Sequence, residues 1–276
     1  MAWLPSMIDV PMGLGDHLHE LRRRLVVPLI VVCAIFIGAF AFQNELKQVM
    51  VQPLKHAIRL VGPQTAMAVG LVRSQAEFDE ILSKPLRCLT VLSIAESTTT
   101  AVKISLSAAI AVALPVILFQ IWNFVAVGLT RKERRLAFLF VPLGVIFFYA
   151  GTLIGYFFGL PYFYAMLINF TATDQTAVYQ LRQADYVEDF TTWTVSFGLI
   201  MDIPWLVMVL VRSGMVTPQQ IARARRYVVA GNLILSACLT PTADLFSLVM
   251  LFIPIQLLFE AGLLASRFMV PKPKDG

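Results

Sequence analysis

The sequence predicts an all-α integral membrane protein with six transmembrane helices, and three observations carry that class. Hydrophobic residues make up 58% of the 276 and charged residues only 14%, against roughly 25% charge in soluble domains. Six apolar stretches recur along the chain. Basic residues concentrate in alternate gaps between them, as the Lys/Arg bias of membrane proteins requires.

A spanning helix needs about 20 mostly apolar residues. The first candidate runs over about 25–42, the second over 104–127, the third over 136–160 and the fourth over 190–211. The fifth, 227–239, gives only about 20 Å of helix at 1.5 Å per residue, short for a hydrocarbon core of about 30 Å. "TPTAD" (240–244) turns the chain, and the sixth returns over 245–265. The last two therefore read as a short helical hairpin where tilt or bilayer thickness varies. The whole chain is a single membrane domain.

Orientation follows from the basic residues. Arg22, Arg23 and Arg24; Arg131, Lys132, Arg134 and Arg135; Arg212, Arg223, Arg225 and Arg226; and Arg267, Lys272 and Lys274 account for 14 of 22. This predicts both termini in the cytoplasm and segments 43–103 and 161–189 outside. Stretches such as "ELKQVMVQPLKHAIRL" (45–60) have helical apolar spacing and predict amphipathic helices on the outer face. Nothing ahead of residue 16 has the charged region and small-residue cleavage site of a signal peptide.

Motifs for chemistry are missing. There is no GxxxxGK[ST], HExxH or GxSxG. His17 and His19 are two apart on an expected helix and point to different faces, poor metal geometry. Cys33 and Cys238 lie in apolar runs and Cys88 stands alone in a polar region, which reads as small filler and not as a disulfide framework. No enzyme activity and no cofactor are expected.

The carboxylates are more informative. Glu20 stands in "DHLHELRRRL" (16–25) and Glu133 in "TRKERR" (130–135). Either Glu20 pairs locally with Arg23 or Arg24, three and four residues on, and Glu133 with its arginine neighbours, or the two form an acidic patch in a basic rim that selects a bidentate cation, since guanidinium and carboxylate match as parallel hydrogen bonds. Asp202 lies mid-way along the fourth span in "FGLIMDIPW". A carboxylate at that depth costs a few kcal/mol on insertion scales and marks a functional position or a protonated, bonded group. Gln120 and Thr240 are polar candidates on other spans. Gly151, Gly155 and Gly159 form a doubled small-xxx-small pattern for close helix approach, and Pro28, Pro115, Pro142 and Pro254 suggest bent spans and a concave bundle.

Four stretches resemble the TatC family, the core receptor of the twin-arginine protein translocase: "HLHELRRRL" (17–25), "LPVILFQIWNFVAVGLTRKERR" (114–135), "RRYVVAGNLILSACLTPTADLFS" (225–247) and "IPIQLLFEAGLLASRF" (253–268). The resemblance implies a glove-like bundle of six spans with both ends cytoplasmic. It implies binding of twin-arginine signal peptides of folded export substrates, recruitment of TatA-type and TatB-type single-span partners into a multimeric complex in the cell membrane, and transport driven by the protonmotive force. By matching position, Glu20 and Glu133, with Arg22 and Phe124 beside them, would bind the signal peptide. Asp202, Gln120 and Thr240 would be the intramembrane polar, partner-binding set. Asp202 stands where the family usually has Glu or Gln, and Leu248 where it often has Gln. A different class, a proton-coupled small-solute transporter with Asp202 as proton carrier, would instead show inverted repeats and a midplane substrate site.

Overall fold

The computed structural model describes residues 14–83, 89–125, 131–173, 180–212, 216–239 and 245–268, and for 14–21, 23, 122–125, 131–141 and 246 the backbone only. It is all-α, as the composition predicts. Eleven helices run in order among the described residues: α1 (Leu14–Ala41), α2 (Gln43–Val61), α3 (Pro63–Ala68), α4 (Gln75–Ser83), α5 (Ile94–Val125), α6 (Arg131–Ile154), α7 (Leu160–Thr171), α8 (Gln183–Arg212), α9 (Pro218–Arg223), α10 (Arg225–Leu239) and α11 (Leu245–Phe268). Five stretches are long and apolar enough to cross a membrane: Arg24–Ala41, Ile94–Ile121, Pro142–Thr171, Gln183–Arg212 and Ser247–Phe268. α10 has 15 residues, about 22 Å of helix. Large apolar side chains such as Ile37, Val112, Ile146, Leu199 and Leu257 are exposed along these helices, the surface that lipid and not water solvates.

Helix ends follow local rules. α2 places Glu45 in its first turn and Arg59 in its last, each complementing the helix dipole. Gly62, at φ +85°, ends α2, and Pro63 opens α3. Thr217 and Gln220 form a capping box at the start of α9. Pro28, Pro115, Pro142, Pro204 and Pro254 each sit inside a helix that continues past them.

The helix of the third apolar run does not end at residue 160, where that run ends. Helix continues from α6 through a π turn, Gly155–Gly159, into α7. Pro161 is the reason. It cannot donate the α-helical hydrogen bond to residue 157, and a wider turn before it absorbs the missing bond. Three glycines bring α8 against this segment. A Cβ on Gly151 would stand 2.4 Å from the Phe197 carbonyl oxygen and 2.6 Å from Met201 Cβ, and Cβ atoms on Gly155 and Gly159 would meet the Phe197 side chain at 2.8 and 2.7 Å. The small-xxx-small pattern thus serves packing within the chain.

The main core gathers Met50, Leu54 and Ile58 of α2, Leu160, Phe163 and Ile168 of α7, Tyr186, Trp193 and Ile200 of α8, and Leu251 and Ile255 of α11. Tyr186 donates to the Met50 carbonyl at 2.7 Å and Tyr164 to Asp189 Oδ2 at 2.5 Å. Segment 43–83 is therefore a helical cap locked onto α7 and α8. Cys33 and Cys238 are exposed, so they face outward and do not fill the interior, a correction to the filler assignment. Cys88 lies outside the described residues.

Candidate functional site

Glu20 sits in the second turn of α1 and Glu133 in the first turn of α6; for both, and for Phe124 near the end of α5, the backbone alone is described. α1 packs along α5, and α5 packs on α6. The joint between α5 and α6 spans only 126–130, and Tyr149 donates to the Ala111 carbonyl across the pair at 2.7 Å, the register of an antiparallel hairpin. Phe124 and Glu133 therefore lie at one end of it. α2 follows α1 directly, and Tyr156 donates to the Val49 carbonyl at 2.7 Å, which ties the far end of α1 to the far end of α6. Glu20 lies roughly 32 Å back along α1 from its end, and Glu133 roughly 35 Å back along α6 from Tyr156. The two glutamates thus occupy the same end of the bundle, on helices that both border α5. Arg22 is exposed beside Glu20 on α1.

Asp202 belongs to another region. Around it, Met201 and Trp205 meet Gly151 and Gly144 of α6, and Pro204 meets Gly262 of α11, where a Cβ would lie 2.5 Å from Pro204 Cα. Asp202 itself shares a different strip of α8 with Val195, Leu199 and Leu206, which are 41%, 50% and 50% exposed. Asp202 is itself half-buried, a carboxylate at the edge of an exposed apolar strip. Its Oδ1 is buried with no hydrogen-bond partner among the described residues. Lys103 and Glu188 pair at 3.1 Å near the starts of α5 and α8. The two helices run the same way from that point, so Gln120 and Asp202 reach comparable depth. No hydrogen bond joins them. Thr240 lies outside the described residues.

A polar ladder inside the final hairpin is absent from the sequence expectations. Asn232 Nδ2 donates to Gln256 Oε1 at 2.9 Å, Gln256 Nε2 to Glu260 Oε1 at 3.3 Å, and Arg225 pairs with Glu260 Oε2 at 2.8 Å. Asn232 is buried.

Residues 16–254 match the family described as Sec-independent protein translocase protein (TatC). The chain belongs to the TatC family. A Sec-independent protein translocase protein TatC of Deinococcus radiodurans is 30% identical over 98% of this chain and 91% of its own length. The TatC protein of Escherichia coli K12 is 29% identical over 94% of this chain and 90% of its own. A crystal structure of a twin-arginine translocase receptor, TatC, superposes with a TM-score of 0.71 at 26% identity, covering 92% of this chain and 99% of that one.

This TatC-family chain is therefore a multi-pass membrane protein of a protein translocase, and the solute-transporter alternative has no support. The hairpin ladder has one sequence signal. Gln256 and Glu260 are four apart on one face of α11, in a helix otherwise almost free of polar groups. Which residue of α10 faces them depends on helix rotation, which no single stretch of sequence states.

Proposed function

We propose that this TatC-family chain is the receptor core of its translocase and that Glu20 and Glu133 read the paired arginines of export signal peptides at the cytoplasmic face. The observation that carries this is their position at one end of the bundle on helices that both border α5. Two carboxylates so placed each meet one guanidinium of an adjacent Arg pair, in a rim that Arg22, Arg131, Lys132, Arg134 and Arg135 keep at the membrane surface. Phe124, at the same end of α5, is assigned to the same binding site. Asp202 serves a separate role. A half-buried carboxylate beside an exposed apolar strip favours a partner helix that brings a polar group, which fits recruitment of TatA-type and TatB-type single-span proteins in a protonmotive-force-driven complex.

The test is binding of a labelled twin-arginine signal peptide to the purified full chain in lipid nanodiscs. Charge-assisted pairs contribute about 1.5–3 kcal/mol each, so Glu20→Ala and Glu133→Ala should each weaken binding about tenfold or more. A peptide with Lys-Lys should bind worse than Arg-Arg, because ammonium lacks the planar fork. Parent-like affinity in both Ala variants at low salt would return the two glutamates to local ion pairing.

A further inference from the structure

The cap carries a charged cavity that neither the signal-peptide nor the partner reading uses. It has a volume of about 400 Å³ and lies between α2 and the π turn, lined by Gln52, Lys55, His56, Arg59, Tyr156 and Phe157. The α2 residues recur at i, i+3, i+4 and i+7, so they form one strip of the helix. Opposite them on the same helix, Met50, Leu54, Ala57 and Ile58 are buried in the core, which fixes the rotation of α2 and holds the basic strip outward. Tyr156 donates to the Val49 carbonyl at 2.7 Å and clamps the cavity's two walls together. Among the described residues, no carboxylate pairs with His56 or Arg59.

The wall opposite the bases has another character. Tyr156 and Phe157 belong to the apolar stretch Pro142–Thr171, and Ile146, Leu153 and Phe157, 63%, 56% and 52% exposed, continue away from the cavity along that stretch. A basic recess sits at the head of an exposed apolar strip. That is the order of groups in a phospholipid lying along a helix, with its phosphate in the recess and its acyl chains on the strip.

We propose that this cavity binds the phosphate of an anionic glycerophospholipid, with Arg59 as the phosphate donor and Gln52 and His56 at the headgroup. A second role for Arg as against Lys follows from geometry. The guanidinium at Arg59 meets two phosphate oxygens at once, and an ammonium meets them as a point charge.

The experiment is native mass spectrometry of the full chain released from detergent after incubation with equal amounts of a diacylphosphatidylglycerol and a diacylphosphatidylcholine. A parallel arm adds inorganic phosphate alone. The parent should retain the anionic lipid in preference to the zwitterionic one. Arg59→Glu should cut anionic-lipid retention about tenfold, the loss of one charge-assisted contact, and Arg59→Lys should lie between the two. Lys103→Gln, at a basic residue paired with Glu188 away from the cavity, should retain lipid like the parent. Size-exclusion elution controls for folding, and Arg59 is exposed, so its variants keep the cap's core. Equal retention by the parent and Arg59→Glu overturns the site. So does an Arg59-dependent capture of inorganic phosphate without any preference between the lipids.

Discussion

Asp202 borders an exposed strip of Val195, Leu199 and Leu206, and a carboxylate near mid-membrane costs about 2.5–3.5 kcal/mol on insertion scales. Nothing among the described residues repays that through a hydrogen bond to Oδ1. Asp202→Leu should therefore raise the midpoint of thermal unfolding in detergent while single-span partners no longer co-purify, and signal-peptide crosslinking should persist. Retained partners with lost peptide binding would reverse the division of labour between Asp202 and the two glutamates. Two glycines offer a second comparison at this scale. Gly151→Ala drives a Cβ to 2.4 Å from a backbone oxygen of α8, which neither helix relieves without moving, and should cost about 1–3 kcal/mol. Gly231→Ala meets nothing within 4 Å inside α10 and should stabilise by about 0.5–1 kcal/mol, because glycine is poor in a helix interior. Thermal unfolding of the two variants side by side checks both signs, and a destabilised Gly231→Ala would mean that α10 is covered there by another chain.

At the scale of elements, the final hairpin is held by polar contacts as well as packing. Asn232→Leu removes the donor to Gln256 Oε1 and leaves that oxygen facing an apolar neighbour. Interhelical bonds of this kind are worth about 0.6–2 kcal/mol in membranes, and unfolding in a denaturing detergent series should show a loss of that order. The double variant Asn232→Leu with Gln256→Leu should recover only part of it, since the unpaired amide oxygen is gone but Glu260 Oε1 loses its donor, Gln256 Nε2. Elements were legible in the sequence in proportion to how directly lipid dictates them. Apolar runs such as 104–127 must be helical, because an unpaired backbone in hydrocarbon is too costly, and α5 covers most of that run. The extension of the third span through the π turn into α7 was not legible from hydropathy, because it rests on one missing N–H at Pro161 and on three glycines that admit Phe197. The ladder was hidden for a related reason. Apolar pattern shows that two helices pack, and their rotation decides which polar side chains meet. Glu20 and Glu133 were legible as candidates from the basic stretches around them, whereas their placement at one end depends on Tyr149 and Tyr156, which tie α6 to α5 and to α2.

For the whole molecule, the remaining quantity is the direction in which the bundle crosses the membrane. Its two ends differ in chemistry. One end holds the starts of α1 and α6, with Arg22, Arg23, Arg24, Arg131, Lys132, Arg134 and Arg135; the other carries the cap of α2, α3 and α4, where Glu77, Asp79 and Glu80 offset the bases. The Lys/Arg bias predicts that the first end faces the cytoplasm. The hairpin then decides where the chain ends. Asn232 pairs with Gln256 and Arg225 with Glu260, two contacts nearly symmetric about 240–244, so α10 and α11 are antiparallel and α11 returns to the side where α10 began. α10, about 22 Å long, is accommodated by tilt of its neighbours or local thinning of the bilayer. In a background with Cys33, Cys88 and Cys238 replaced by Ser, Lys132→Cys and Lys272→Cys should react with a membrane-impermeant thiol reagent only after the cytoplasmic face is opened, and Asp79→Cys, exposed on α4, should react in intact cells. Reaction of the residue-272 thiol in intact cells, with residue 132 still protected, would mean that α10 and α11 do not together cross and return, and the six-span arrangement would fail at its last hairpin.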